Sequence, residues 1–435
     1  MRRFFFFFVS FILLASGLLP VPVQSQVTLD SCRVWAQRNS PLIRQYELLQ
    51  RSADYSVNNA ARGWIPQIVL SAQGTWQSDV TDMADLWDEL GLSMLPIPLP
   101  DIRLQEWQGK VQMELMQPLW DGGKSLADKR EALAQLNEET AQTDVDLYQL
   151  DGRVMDIFFG ILLLDGQRQQ LLRTDSLLEK NLERVNTLYR NGVALQSDRD
   201  AVEVERLTLA QRRTQVEYSR LAYLQMLSLL TGKDLQNETL RMPDAEAGGP
   251  AATGKGRPEL RLLDAKSDVL AARRKTLLSH TIPQVYAFAQ GWYGYPGLNM
   301  FHDMLSADWT WNAVVGVKMQ WNIGAFYTLD NRLRQLKLAE QRLDVQRDLF
   351  KFNRDMQTMG ENAEIVRLER ALEDDVRIVQ LRQSIRAASE VKYENGTITT
   401  SELLQKITDE NLAQSARLLR KVELVKAKYK LYYIQ

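Results

Sequence analysis

A chain of 435 residues with 45% apolar and 25% charged residues has the material for a sizeable folded structure and is not a disordered polyelectrolyte. Its formal charge of −2 supplies no basic field for nucleic acid, and the solitary Cys32 excludes an intrachain disulfide. His280 and His302 are the only histidines, neither stands at a metal-ligand spacing, and no glycine-rich phosphate loop is present, so no enzyme activity, metal or cofactor is expected.

The first 25 residues read as a secretory signal peptide: Arg2 and Arg3, an apolar run from Phe4 to Leu19, then a proline-bounded exit before Ser25. The run is shorter than the ~20 residues a spanning helix needs, which weighs against a retained anchor. Cleavage would leave a formal charge of −4. LDSC at Leu29 to Cys32 has a faint likeness to a lipoprotein cleavage box, but Asp30 fits it poorly. No later apolar stretch reaches spanning length, so a membrane-crossing mature chain would have to cross with strands.

The first structural repeat is expected over 26–230. After Pro66, Ile68, Leu70, Ala72, Gly74 and Trp76 alternate with Gln67, Val69, Ser71, Gln73 and Thr75, and period two predicts a strand over about 66–78. A proline-rich loop follows, with Pro96, Pro98 and Pro100. The next strand, about 107–119, sets Val111, Met113 and Leu115 against Gln108, Lys110, Gln112 and Glu114.

No proline falls between Pro118 and Pro243, so a continuous helix is expected over about 124–190. As helix those residues would extend ~100 Å. A 3-4 spacing from Leu147 through Val154, Ile161, Asp175, Leu178 and Val185 to Tyr189 predicts a coiled-coil seam. Asn191-Gly192 ends that helix and a returning helix is expected over about 197–231, with Ser197 as cap or first-turn residue and Asp198 favourable beside the helix N-terminus. Residues 231–257, rich in glycine and proline, read as a linker.

The second repeat, 258–435, restates the first. WIPQIVLSAQG at Trp64 to Gly74 recurs as TIPQVYAFAQG at Thr281 to Gly291, 217 residues later. Beyond the proline-rich loop the offset becomes 204 and holds: Trp107 matches Trp311, Tyr189 matches Tyr393, Asn191-Gly192 matches Asn395-Gly396 and Ser197 matches Ser401. Strands are therefore expected over about 283–293 and 311–323, a long helix over about 328–394 and a returning helix over about 400–433. The strand from Val285 is the least regular, because Tyr286, Phe288 and Trp292 fall on its otherwise polar face.

Aromatic residues gather at the strand ends, with Trp76, Trp107, Trp120, Tyr293, Trp311 and Trp321 forming a candidate membrane girdle. A soluble sandwich with core tryptophans is the competing reading. Four strands cannot close a barrel, and an open edge in lipid leaves backbone groups unpaired, so a membrane form requires several copies; three would give twelve strands.

The duplicated helix-strand-strand-helix plan, QPLWDGGK at Gln117 to Lys124, and the turns YRNGVALQSD and YENGTITTSE together make the mature chain similar to the TolC-like outer-membrane efflux family. The second strand-to-helix handover, WNIGAFYTLDN, departs from that pattern. The resemblance implies a mainly α fold with a membrane β-barrel contribution: a homotrimer with a 12-stranded β-barrel in the outer membrane of a Gram-negative bacterium, continued by an α-helical barrel into the periplasm. It implies a passive exit duct of a tripartite efflux or type I secretion system, carrying small molecules or proteins. Its partners would be outer-membrane lipid, a periplasmic adaptor and an inner-membrane pump.

By the same resemblance, Gly192, Val193, Ala194, Gly396, Thr397 and Ile398 lie at the periplasmic tip where adaptors dock. Asp198 and Tyr393 match a latch pair, Glu402 matches a constriction carboxylate, and Gln405 replaces another, so these four are the candidate channel gate. Ile398 stands where the family has a basic latch residue. Gly192 and Gly396 also suit a tight turn, and Asp198 and Glu402 suit ordinary first-turn helix acids. The alternative from another class is a periplasmic coiled-coil adaptor without a membrane barrel.

Overall fold

A computed structural model describes residues 27–94, 102–244 and 256–434. The signal-peptide reading, the loop prolines Pro96, Pro98 and Pro100, and 245–255 of the linker lie outside the described residues. In chain order the elements are α1 (Leu29–Asn39), α2 (Leu42–Arg62), β1 (Gln67–Trp76), α3 (Ala84–Glu89), β2 (Trp107–Trp120), α4 (Lys124–Arg190) and α5 (Gln196–Thr231). Then come α6 (Pro258–Ser279), β3 (Gln284–Tyr295), α7 (Met300–Leu305), β4 (Thr310–Gln320), α8 (Ala325–Glu394) and α9 (Thr400–Ile434). The proline-free tracts are the helices: α4 runs 67 residues and α8 runs 70 without a break.

The chain divides into two compact units, and each draws on both sequence repeats. Of the described residues, one unit takes those within Met1–Gln45, Thr143–Leu260 and Asp348–Gln435, the other those within Tyr46–Gln142 and Arg261–Arg347.

The second unit holds one antiparallel sheet, ordered β1-β2-β3-β4. Residues directly opposite in an antiparallel ladder share a face. Ile68 pairs with Leu115, Leu70 with Met113, Ala72 with Val111 and Trp76 with Trp107, so the apolar positions of β1 and β2 form one surface. It continues through Leu115–Ala289, Met113–Gly291 and Val111–Tyr293 into β3, and through Ala289–Val315, Ala287–Val317 and Tyr293–Trp311 into β4. Most of this surface is open: Leu70 is 73% exposed and Val315 77%.

The irregular strand is a full strand of 12 residues. Tyr286, Phe288 and Trp292 do lie on the polar face, and the register accommodates them: Phe288 stands opposite Gly316, and its ring occupies the space a side chain at that glycine would need.

The two strand-to-helix handovers differ. Before α4, the Asp121 carboxylate accepts the N–H groups of Gly123 (2.9 Å) and Ser125 (2.8 Å). Burial pushes its pKa up, and these hydrogen bonds outweigh that and hold it below the ordinary carboxylate value. Before α8 there is no such cap; the Trp321 indole donates to Thr281 O at 2.9 Å and its ring meets Phe326. The single glycine there suffices because no residue in that turn needs a positive φ.

In the first unit α1, α4, α5 and α9 share a core built on Cys32, Val154, Phe158, Phe159, Leu224 and Val425. Nearer the helix-helix turns a second cluster joins Leu178 and Val185 of α4 to Val202 and Leu209 of α5, Tyr393 of α8 and Leu403 and Ile407 of α9. The seam on α4 differs from the expected one. Thr174, Leu178, Asn181 and Val185 are buried at 4-3-4 spacing, whereas Asp175 is partly exposed and Tyr189 exposed. The helix has neighbours on several sides, so burial spreads over a wider arc than one seam. Asp175 instead faces Arg206 and Arg213 of α5.

Ion pairs lace both hairpins. Arg206, Arg213 and Arg220 recur every seventh residue on α5 and meet Asp175, Glu179 and Asp165 of α4. Between α8 and α9, Arg382 meets Asp409 at 2.7 Å, and Arg386 and Arg420 hold the buried carboxylates Glu410 and Asp375. At the other end of this unit, Arg33 and Gln37 of α1 clasp the buried Asp151 of α4, and Arg33 lies over the Tyr433 ring.

Candidate functional site

The two helix-helix turns have the same hydrogen-bond pattern. In the first, Gly192 N–H reaches Tyr189 O and Val193 N–H reaches Leu188 O; in the second, Gly396 N–H reaches Tyr393 O and Thr397 N–H reaches Lys392 O. This is a Schellman ending, and it sets the glycine left-handed, at φ 76° for Gly192 and 68° for Gly396. Of the six tip candidates, Gly192, Val193, Gly396 and Thr397 are exposed. Ala194 and Ile398 are half-buried and pack on the Leu178–Val185 cluster, so they anchor their turns from below.

Each returning helix begins one residue before its serine, at Gln196 and Thr400. Leu195 and Thr399 occupy the cap positions, and the serines fall in the first turn. Thr399 Oγ1 accepts the Glu402 N–H (3.2 Å) while the Glu402 carboxylate accepts the Thr399 N–H (3.1 Å), a reciprocal capping box. Asp198 supplies the matching half-box by accepting the Leu195 N–H at 3.0 Å; leucine has no oxygen to complete it. Both candidate gate acids, Asp198 and Glu402, therefore stabilise helix starts.

Tyr393 is buried, and its hydroxyl meets Thr400 Oγ1 at 3.2 Å. Asp198 and Tyr393 line one cleft of about 490 Å³ with Arg184, Val193, Glu394 and Ile398, yet each hydrogen-bonds elsewhere. Arg184 and Glu394 close the cleft's rim with an ion pair of 2.7 Å. Glu402 and Gln405 are both exposed, one turn apart on α9. Sequence reasoning missed Thr400 as the partner of Tyr393 and the α5 arginines as rungs. The seven-residue recurrence of Arg206, Arg213 and Arg220 was a readable signal for the latter.

The aromatic candidates occupy both ends of the sheet. At one end Trp76 pairs with Trp107 and Tyr293 with Trp311, the latter rings 5.1 Å apart, and Trp309 joins Tyr293 at 5.6 Å. At the other end lie Trp120, opposite Val285, and Trp321, just past the last residue of β4. All six are exposed, from 39% for Tyr293 to 82% for Trp311. An apolar face bounded at both ends by exposed aromatic rings is the arrangement a lipid bilayer favours. Among the described residues no helix is long and apolar enough to cross a membrane, and no His, Cys, Asp and Glu cluster could hold a metal ion.

A family model described as "Outer membrane efflux protein" matches residues 34–233. No curated relative matches the chain. The fold is similar to the outer membrane protein VceC of Vibrio cholerae, at 14% identity, with 93% of this chain and 95% of that chain covered and a TM-score of 0.63. It is similar to the CmeC outer membrane channel of Campylobacter jejuni (12% identity, 93% and 85% covered, TM-score 0.63). It is also similar to the MtrE outer membrane channel of Neisseria gonorrhoeae (14% identity, 93% and 88% covered, TM-score 0.63). Residues 34–233 are thus similar to the outer membrane efflux protein family, and the chain over nearly its whole length has the fold of these channels.

Proposed function

We propose that the chain is the outer-membrane exit duct of an efflux system, a passive transporter and not an enzyme, working in the outer membrane and reaching into the periplasm. One observation carries this reading: a four-stranded sheet with an exposed apolar face between two aromatic rims and unpaired edges at β1 and β4. Such a sheet is stable in lipid only when its edges are paired. Three copies supply twelve strands.

An exposed apolar stripe on α8, Val345, Leu349, Phe352, Met356 and Met359 at 4-3-4-3 spacing, supports helix packing between copies. The sheet weighs against the adaptor reading, which gives it no role. Adaptor and pump partners supply energy and selection; this chain supplies the water-filled path. Their docking surface is assigned to Gly192, Val193, Gly396 and Thr397, with Ala194 and Ile398 as supports. The gate is assigned to Asp198, Tyr393, Glu402 and Gln405.

The test is to purify the full chain from outer membranes, follow heat-modifiable gel migration and reconstitute it in planar bilayers. An oligomer dissociated by heat, with stepwise KCl conductance, is expected. Recovery in the soluble periplasm, or a monomer without conductance, would reject the duct.

A further inference from the structure

The polar face of the sheet carries a feature that a plain water path does not need. It is lined chiefly by amides, with Gln67, Gln73, Gln108, Gln112, Gln290 and Asn312 among them. Yet β3 adds three aromatic side chains to that face, Tyr286, Phe288 and Trp292, all half-buried. Same-face residues recur about every 7 Å along a strand, so Tyr286 and Phe288 are adjacent steps, and Trp292 stands two steps further.

Each end of this row has a lysine. Lys318 sits directly opposite Tyr286, and the Lys110 ammonium lies 5.9 Å from the centre of the Trp292 ring. Among the described residues neither lysine makes an ion pair, and Glu114 is the only carboxylate within the four strands. At its Tyr286 end the row opens into a cavity of about 290 Å³ lined by Gln67, Gln284 and Gln320 and also by Asp121, Lys124 and Asp128, with Asp121 engaged in capping α4. A cavity of about 150 Å³ accepts a benzene, so this one has room for a fused two-ring solute.

From these placements we propose that the β3 row is a binding path for planar aromatic anions, with Tyr286, Phe288 and Trp292 receiving the ring system and Lys110 and Lys318 its carboxylate or sulfonate. This rests on the exit-duct reading, which turns the polar face toward the passage, and names a cargo class for it. Aromatic faces give offset or edge contacts to a flat solute that an aliphatic ring of equal charge does not obtain. Glutamine amides along the wall hydrogen-bond ring substituents without adding charge. The competing explanation for Phe288 is local, because its ring covers Gly316 and fills the sheet surface there. That explanation covers neither Trp292 nor the two lysines.

The experiment uses the full chain in planar bilayers in symmetric KCl, with naphthalene-2-sulfonate added to either chamber in turn. Cyclohexanesulfonate is the non-planar anion control and N-methylquinolinium the planar cation control. Naphthalene-2-sulfonate is expected to block at the lowest concentration of the three. Phe288→Ser with Trp292→Gln should raise its half-blocking concentration about fivefold, as loss of one or two ring contacts implies. Phe288→Tyr with Trp292→Phe should leave it unchanged, and Lys110→Gln with Lys318→Gln should remove the preference over N-methylquinolinium.

Equal block by the two sulfonates, or an unchanged half-blocking concentration in the serine–glutamine variant, would overturn the path while KCl conductance left the duct intact. If that variant does not assemble, the lysine variant decides, and a preference that survives it rejects the proposal. Absence of KCl conductance in the unaltered chain would instead remove the duct reading, and this site with it.

Discussion

Cys32 is wholly buried on α1, packed in the core with Val154 and Phe158, and burial alone pushes its thiol pKa up to about 12. A thiol so placed is neither nucleophilic nor accessible to an acyl donor, so the LDSC string is a helix start in this fold. Intact-mass measurement of the folded protein should show no acyl group on Cys32, and maleimide should label it only after denaturation. Fast labelling of the native protein would contradict the burial. Glu402 poses a different question, because its carboxylate caps α9 while remaining exposed. Glu402→Gln keeps the amide oxygen as acceptor for the Thr399 N–H and loses only the charge, a helix-terminus effect of about 0.3–1 kcal/mol. If three copies of Glu402 surround the bore, cation preference in asymmetric KCl should fall in this variant with thermal stability nearly unchanged. An unaltered reversal potential would confine Glu402 to its cap.

Among elements, the hairpin α4–α5 contains a telling exception to apolar packing. Asn181 is 6% exposed within the α4 seam, and neither its amide nitrogen nor its oxygen has a hydrogen-bond partner among the described residues. An unsatisfied buried amide costs about 1–3 kcal/mol, and polar residues persist at such seam positions where they fix register. Asn181→Leu should therefore raise the thermal midpoint followed by circular dichroism at 222 nm; a lowered midpoint would show that the amide is satisfied in the assembled protein. The long helices themselves were legible because proline absence over such lengths leaves few alternatives, and the turns because Asn-Gly needs a left-handed glycine. The strand pattern was legible where polar and apolar residues alternate. It was least regular on β3, where Phe288 answers to Gly316 on the neighbouring strand, a partner that only the register reveals. The α4 seam was misplaced for a related reason: a single-period template assumes one neighbour, and α4 has at least three. The Asp198–Tyr393 pairing came from resemblance, and in one copy both groups are engaged locally, so side-chain partnership was the least legible level.

For the whole molecule, two independent surfaces ask for the same solution. The sheet exposes an apolar face and two unpaired edges, and α8 exposes the stripe from Val345 to Met359, including Phe352 at 62% and Met359 at 72%. In lipid each unpaired backbone group costs several kcal/mol, so closure of the sheet is obligatory before insertion is stable. Burying a phenylalanine contributes about 1.5–3 kcal/mol, and a threefold assembly repeats that gain in every copy. If the same three copies build both walls, weakening the helical contact must also weaken the strand closure, although Phe352 lies on no strand. Phe352→Asp should thus lower the temperature at which the oligomer dissociates on gels and cut the yield of outer-membrane protein, while the helix content of the purified chain stays unchanged. A fully heat-resistant oligomer in that variant would mean that the α8 stripe faces something other than a second copy. The sheet edges would then have to hold the assembly unaided.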